Sequence, residues 1–330
     1  MPHQIVEQKL QRHFDENVRR NYFRGMEFAG PAGDPGWFGP DSAVWHVHSH
    51  MECLVFGLQC AAYIERLDPS IYWMGVHHSR LVDRAADAKA PRIDPKGAVT
   101  RLGHSVAFFI GTAYGSTETA ERLAQTVRAM HHTIKGTRPD GATYDADDPD
   151  WLRWNYATVV WGLATAHEMY HPRPLRGKRL DRYYGEFARV GHALGGTDLP
   201  TTKAETLDCL AAYLPRLALT HGAAMATGPN LGLPQSAIDW AIRDTLPKWA
   251  AQLVQHQSPN IVERTARRTA VWTAINGLHT AAGPTLEFTE ARARVAGGTA
   301  VPHTTPAHVP GTDRVRTRAE IERELAAGPV

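Results

Sequence analysis

The sequence predicts an all-α protein with one main body, chiefly because helix-start and helix-stop signals recur along the chain. Ser116, Asp148 and Thr202 each stand where a side-chain oxygen can cap the first backbone N–H groups of a helix. Alternating Val/Ile/Thr segments and two-residue hairpin turns are nearly absent. The 330 residues are 43% hydrophobic and 21% charged, values that are ordinary for a folded protein and exclude global disorder.

Each helix is predicted between a capping residue or proline at its start and a glycine or proline beyond its end. The predicted helices span 4–28, 51–67, 97–113, 117–135, 149–170, 179–194, 203 onward and 259–282, with a Gly/Pro-rich loop over 30–40. Pro215 is expected to kink the helix that Thr202 begins. We expect residues 1–300 to form one domain and residues 301–330 to form a loose tail that ends in a short helix.

Charge and cysteine content exclude several classes of protein. There are 36 Lys and Arg against 34 Asp and Glu, with no block of five like charges, so nucleic acid and anionic membranes are not expected partners. Three cysteines cannot build a disulfide framework or a four-thiolate metal site. The charged N-terminus lacks the apolar core of a secretory signal, and no apolar run reaches the roughly 20 residues of a membrane span. We therefore expect a soluble, cytoplasmic protein in a reducing compartment.

The chain has 18 histidines, and helical geometry indicates which of them face inward. On the predicted 117–135 helix, His131 lies within the apolar stripe, whereas His132 points about 100° away from it. An imidazole on an apolar face is either a hydrogen-bonded core residue or a ligand, and the helical wheel leaves both open.

A second polar group is predicted on the 97–113 helix. The spacing of Arg101, His104, Ser105 and Phe108 places all four on one face. Arg and His pointing inward together are costly unless they meet a carboxylate, an anion or a metal. A cofactor that carries propionates would satisfy them, and so would a buried salt bridge.

His167, Glu168 and His171 match the H-E-x-x-H pattern of zinc hydrolases. Against that interpretation, Pro172 ends the helix directly after the second histidine, and Glu186 is the only nearby candidate for a third ligand. Packing alone also explains why the two histidines point the same way.

His46, His48 and His50 form another cluster, just before the predicted 51–67 helix. On a strand the three imidazoles would share one face. Because the segment leads into a helix, we interpret them as structural or solvated.

Several segments together resemble signatures of the MpaB-type oxygenases, a family that includes the rubber-oxygenase catalytic domain. The first motif is matched by residues 39–48 (GPDSAVWHVH), and the R-L-x-x-T…F-G helix by RLGHS at 101–105 with YG at 114–115. The most specific stretch is VRAMH at 127–131 followed by GTRPDGATYDADDP at 136–149. Later signatures are matched, in the same order, by WNYAT at 154–158 and DRYYGE at 181–186. The resemblance covers about residues 37–215.

This resemblance implies a globin-like helical bundle that encloses one haem b and uses dioxygen. His131 stands at the position of the proximal iron ligand. Arg101 would pair with a propionate or a polar distal group, and Ser105 would line the distal pocket, with Phe108 beside the cofactor. His104 stands where rubber-cleaving members carry a lysine that reaches iron, so its imidazole can close the sixth coordination position.

Three departures from the family pattern bear on the reaction and the substrate. Ser105 replaces a threonine, Tyr156 replaces the histidine of a W-V-H motif, and Asp68-Pro69 replaces an H-P pair. The leading hypothesis is a haem b-dependent oxygenase that acts on an intracellular, partly apolar small molecule by C=C cleavage or C–H oxygenation. An electron donor is a candidate partner, and the oligomeric state stays open.

Three alternatives to an oxygenase remain. One is a haem-binding sensor or carrier with two histidine ligands and no turnover. Another is a zinc hydrolase that uses His167, Glu168 and His171, and the last is a purely structural helical protein.

Overall fold

The computed structural model describes residues 9, 18–79, 82–83, 92–219 and 235–297, and the chain within these ranges is mostly helical, as predicted. The described helices are α1 (Arg20–Tyr22), α2 (Ala43–His48), α3 (Met51–Glu65), α4 (Pro69–His78), α5 (Pro95–Tyr114), α6 (Thr117–His131), α7 (Pro149–Tyr170), α8 (Lys178–Ala193), α9 (Lys203–Ala212), α10 (Gln235–Arg243), α11 (Lys248–Leu253), α12 (Ile261–Ala282) and α13 (Leu286–Val295). The described chain also contains two short antiparallel pairs: β1 (Val82–Asp83) with β2 (Arg92–Ile93), and β3 (Lys135–Thr137) with β4 (Thr143–Asp145). In these ranges, every helix is too short or too polar to cross a bilayer.

Helices α3 and α7 lie against each other at the centre of the fold, where glycines let their backbones approach closely. A Cβ atom at Gly162 would lie 2.5 Å from the carbonyl oxygen of Gly57 and 2.7 Å from the backbone nitrogen of Ala61. A Cβ atom at Gly57 would lie 2.8 Å from Cα of Leu163. These distances are too short for any side chain, so the crossing requires glycine on both helices.

Helix α7 contributes to both of the large hydrophobic clusters in the described chain. One cluster joins α7 to α2, α5 and α8 and includes Trp45, Tyr114 and Phe187. The other joins α7 to α3, α9 and α10 and includes Ile64 and Trp154. Polar side chains on α7 are therefore held by packing on two sides.

Arg294, a buried residue of α13, donates hydrogen bonds to the loop that precedes α2. Arg294 is fully buried, and burial lowers the pKa of its guanidinium despite the nearby charge of Asp34. Its nitrogens donate to the carbonyl oxygens of Phe28 (2.7 Å), Asp34 (2.9 Å), Tyr114 (2.9 Å) and Gly115 (3.2 Å). This set of acceptors explains how a charged side chain stays inside.

Most predicted helix boundaries are confirmed to within a residue or two. Asp148 caps α7 by accepting from the backbone N–H groups of Asp150 and Trp151, and the helix runs to Tyr170 as predicted. Ser116 and Thr202 also cap their helices.

Three boundary predictions are wrong. The first helix ends at Tyr22 rather than at residue 28. Helix α6 ends at His131 rather than at residue 135. Gly136 does not end this helix but lies in β3 opposite Tyr144, where a Cβ atom would overlap the tyrosine ring. Pro215 does not kink α9, since it lies in a separate 3-10 turn, Leu214–Arg216. The predicted tail and most of the predicted N-terminal helix lie outside the described residues, so the division into two regions stays a prediction.

Candidate functional site

His131 is the last residue of α6, and its side chain faces inward. It is 9% exposed and contacts the edge of Trp151, with ring centroids 5.5 Å apart. His132 is exposed and pairs with Asp147, at 2.6 Å between Nδ1 and Oδ2. The opposite orientations predicted for these two adjacent histidines are confirmed.

The surroundings of His131 keep its imidazole neutral. Burial, followed by the positive charge of Arg101, lowers the pKa of His131 to about 4. Its Nδ1 atom is buried and has no hydrogen-bond partner within the described ranges. A neutral, enclosed imidazole with an unpartnered buried nitrogen has the chemistry of a metal ligand.

The positive charge of Arg101 affects the pKa of a second group, the carboxyl of Glu65, which sequence reasoning did not identify. Glu65, the last residue of α3, is half-buried and accepts a hydrogen bond from Asn155 of α7. Burial raises the pKa of Glu65 to about 7, even though Arg101 and Asn155 both favour the ionised form. The structure therefore brings Arg101, His131 and a carboxyl that titrates near neutral pH to one place.

The rest of the predicted face of α5 is less buried than expected. Arg101 and His104 are exposed, and Ser105 is half-buried, so the expectation that both cations point into the core is wrong. His104 instead packs against the edge of Tyr22, with ring centroids 5.1 Å apart. Phe108 alone is buried, in the hydrophobic cluster that joins α5 to α2 and α8.

The histidines of the H-E-x-x-H segment acquire a third partner that sequence reasoning missed. His46 of α2 lies with His167 and His171, and the three ring centroids are 4.4 to 5.3 Å apart. Glu168 does not join them, because its carboxylate pairs with Lys203 at 2.6 Å. Glu186, the suggested third ligand, is occupied by Arg182 at 2.6 Å.

Backbone groups fix the rings of this His46–His167–His171 cluster. The N–H groups of Leu175 and Arg173 donate to Nε2 of His167 (2.8 Å) and to Nδ1 of His171 (2.9 Å). Each ring therefore uses one lone pair to accept, and its other nitrogen carries the proton when the ring is neutral. Burial and the neighbouring histidines lower the pKa values of His167 and His171 to about 2 and about 3.

The solvated interpretation of the 46–50 segment is wrong for two of its three histidines, and their burial fits both a structural role and a ligand role. His48 and His50 are buried and His46 is half-buried. His48 contacts the hydroxyl of Tyr183 at 3.3 Å, and burial lowers its pKa to about 4.

An open cleft of about 480 Å³ lies beside the polar end of α7. Its walls include Glu168, Arg176, Lys203 and Arg268, together with apolar residues such as Trp161. Of the candidate site residues, Glu168 of the H-E-x-x-H segment lines this cleft, whereas the residues predicted for the haem site do not.

The chain is a mostly helical protein in which several buried histidines are grouped. Residues 45–275 match the family described as ER-bound oxygenase mpaB/B'/rubber oxygenase, catalytic domain. The match covers more than half of the chain, so the protein belongs to this family and carries an oxygenase domain. No curated protein and no solved structure matches it.

Proposed function

We propose that this protein is a haem b-dependent oxygenase that acts with dioxygen on a partly apolar small molecule. The single observation that carries the proposal is His131, an enclosed and neutral imidazole with an unpartnered Nδ1 at the end of α6. The family supports oxygenase chemistry, and the sequence motif that contains His131 supports haem as the cofactor.

His131 would hold the iron, and when bound, the haem supplies the centre at which dioxygen is activated. Arg101 is exposed beside His131, so its guanidinium is open to an anionic group such as a propionate. The half-buried Ser105 hydroxyl, on the same helix as Arg101, would donate a hydrogen bond within the site. Phe108 would supply apolar contact from the same helix.

Glu65 adds a proton-carrying group that the sequence did not predict. With a pKa of about 7, its carboxyl is present in both protonation states near neutral pH. A carboxyl of this kind can give or take a proton during turnover. The charge of Arg101 lowers the pKa values of both Glu65 and His131, so the carboxyl is electrostatically coupled to the proposed haem site.

The first experiment is an absorption spectrum of the purified protein, oxidised and then dithionite-reduced, with iron analysis on the same sample. We expect a Soret band with about one iron per chain. His131→Ala should lose it, whereas His132→Ala should keep it, because His132 is exposed and paired with Asp147. A His131→Ala protein with full Soret intensity would refute the assignment of the ligand.

The alternatives give different results in the same experiment. A haem carrier closed by His104 would show a low-spin ferrous spectrum that dioxygen and candidate substrates leave unchanged. A colourless protein that takes up no haem but carries one zinc per chain would support a zinc protein instead of a haem protein. Turnover is then tested by dioxygen uptake with partly apolar alkenes.

A further inference from the structure

A second histidine group lies between the start of α3 and the end of α12. His50 caps α3, Glu52 is in its first turn, and His279 is in the last turn of α12. The His50 and Glu52 side chains are 1% and 14% exposed, and that of His279 is 30% exposed. None of these residues takes part in the proposed haem site.

The protonation pattern of His50 is determined by Asn276. The amide nitrogen of Asn276 donates to the carbonyl oxygens of Tyr170 (2.9 Å) and Trp272 (2.8 Å), so its Oδ1 atom is the acceptor. His50 Nε2 lies 3.2 Å from that oxygen and must donate to it. In a neutral ring the lone pair is then on Nδ1, which accepts a long hydrogen bond of 3.3 Å from the Cys53 N–H.

The lone pair of His50 faces a carboxylate. Nδ1 is 3.2 Å from Oε2 of Glu52, and two acceptors at this distance repel each other unless a proton or a metal cation lies between them. The ion pairs of Glu52 within the described ranges are both with imidazoles, those of His50 and His279. In the described part of the chain, no lysine or arginine pairs with this carboxylate, so a bound cation would supply the positive charge beside it.

The distances suit a cation. Oε2 of Glu52 is 3.2 Å from Nδ1 of His50 and 2.9 Å from Nδ1 of His279. Ligand atoms that bind one first-row metal at right angles, with bonds of about 2.1 Å, are about 3.0 Å apart. We propose that His50, Glu52 and His279 bind a divalent first-row transition metal as a 2-His-1-carboxylate set.

The surrounding contacts support this assignment. The hydrogen bond from His50 Nε2 to Asn276 is the outer contact that ligating histidines usually make, and two backbone carbonyls hold Asn276 in turn. The rings of His50 and His279 are stacked, with centroids 3.8 Å apart and planes 15° apart. Since a metal lies in the plane of each imidazole that binds it, the more exposed His279 ring must turn when the metal enters.

The neighbouring His46–His167–His171 cluster is a poorer metal site. It consists of three imidazoles without a carboxylate, because the carboxylate of Glu168 pairs with Lys203. The two groups are adjacent, because the rings of His50 and His171 are 5.4 Å apart. Any test must therefore separate them.

The test uses the full chain without an affinity tag, freed of metal with a chelator and titrated with Co(II), which is coloured when bound to protein and is not haem iron. We expect one equivalent of tightly bound Co(II). Glu52→Gln and His279→Gln should each weaken binding at least tenfold, while His46→Ala should leave it unchanged. Glu52→Gln keeps the shape of the side chain, and circular dichroism checks that each variant is folded.

Two results would overturn the proposal. The first is wild-type protein that binds no Co(II) or Zn(II) at one equivalent, which would assign a proton rather than a metal to the space between His50 and Glu52. The second is binding that survives in Glu52→Gln and disappears in His46→Ala, which would place the metal in the neighbouring cluster.

Discussion

Glu65 makes the stability of this protein depend on pH in a direction that can be calculated. Its carboxyl has a pKa of about 7 in the folded state, against the ordinary value of 4.5, chiefly because of burial. Between these two pH values the folded chain holds a proton that the unfolded chain releases. The free energy of unfolding therefore falls as pH rises from about 4.5 to about 7, and the loss is complete above that.

The size of the effect follows from the same two values. Each unit of difference in pKa is worth about 1.4 kcal/mol, so the rise from 4.5 to about 7 gives an upper limit of about 3.5 kcal/mol. Glu65 is half-buried, so solvent screening reduces this, and we expect about 2 kcal/mol. The substituted side chain of Glu65→Gln stays neutral at every pH. The free energy of unfolding of this variant, relative to that of wild type, should therefore rise by about 2 kcal/mol from pH 5 to pH 8.

Urea unfolding of both proteins at pH 5, 6, 7 and 8 measures the difference. Glu205→Gln serves as a contrast: hydrogen bonds from Thr201 lower the pKa of Glu205, so this carboxyl stays ionised from pH 5 to pH 8 and its variant should differ from wild type by the same amount at all four pH values. A difference between wild type and Glu65→Gln that does not change with pH would refute the raised pKa, and with it the proton-carrying role of Glu65.

Three further predictions concern packing and the haem site. Gly162→Ala should destabilise the chain by about 1–3 kcal/mol in urea unfolding, because its Cβ atom meets the α3 backbone. The control Gly277→Ala should stabilise the chain by about 0.5–1 kcal/mol, because a Cβ atom at Gly277 has no other atom within 4 Å. Equal effects of the two substitutions would contradict the close crossing of α3 and α7. Arg294→Met should cost about 3–5 kcal/mol in thermal unfolding, since four carbonyls, three of them in buried hydrogen bonds, lose their donor. A cost under 1 kcal/mol would show that water replaces the guanidinium. His104→Ala should keep the Soret band; its loss would make His104 indispensable for haem retention.

The features that could be predicted from the sequence depend on neighbours in the chain. The cap at Asp148 is a contact between residues two and three apart, and it set the start of α7 correctly. Helical period alone placed His131 inward and His132 outward. Gly136 was misjudged because a glycine beyond a helix suits a strand equally well, and the Tyr144 ring across the β3–β4 pair decides between them.

The parts of the candidate sites that could not be predicted depend on distant residues. Glu52 and His279 are 227 positions apart, and nothing in either local sequence indicates that they meet. His46 joined the H-E-x-x-H histidines through the packing of α2. The altered pKa of Glu65 needs burial and the charge of Arg101, neither of which is visible in a helix-end glutamate.

Helix α3 separates the two candidate sites. Glu52 lies in its first turn and Glu65 at its end, and 13 residues of α-helix span about 20 Å. Substitutions at that distance without shared partners act independently. His131→Ala should therefore leave Co(II) binding intact, and Glu52→Gln should leave the Soret band intact. Loss of both properties in either variant would mean that α3 itself had been displaced, because no single ligand serves both sites.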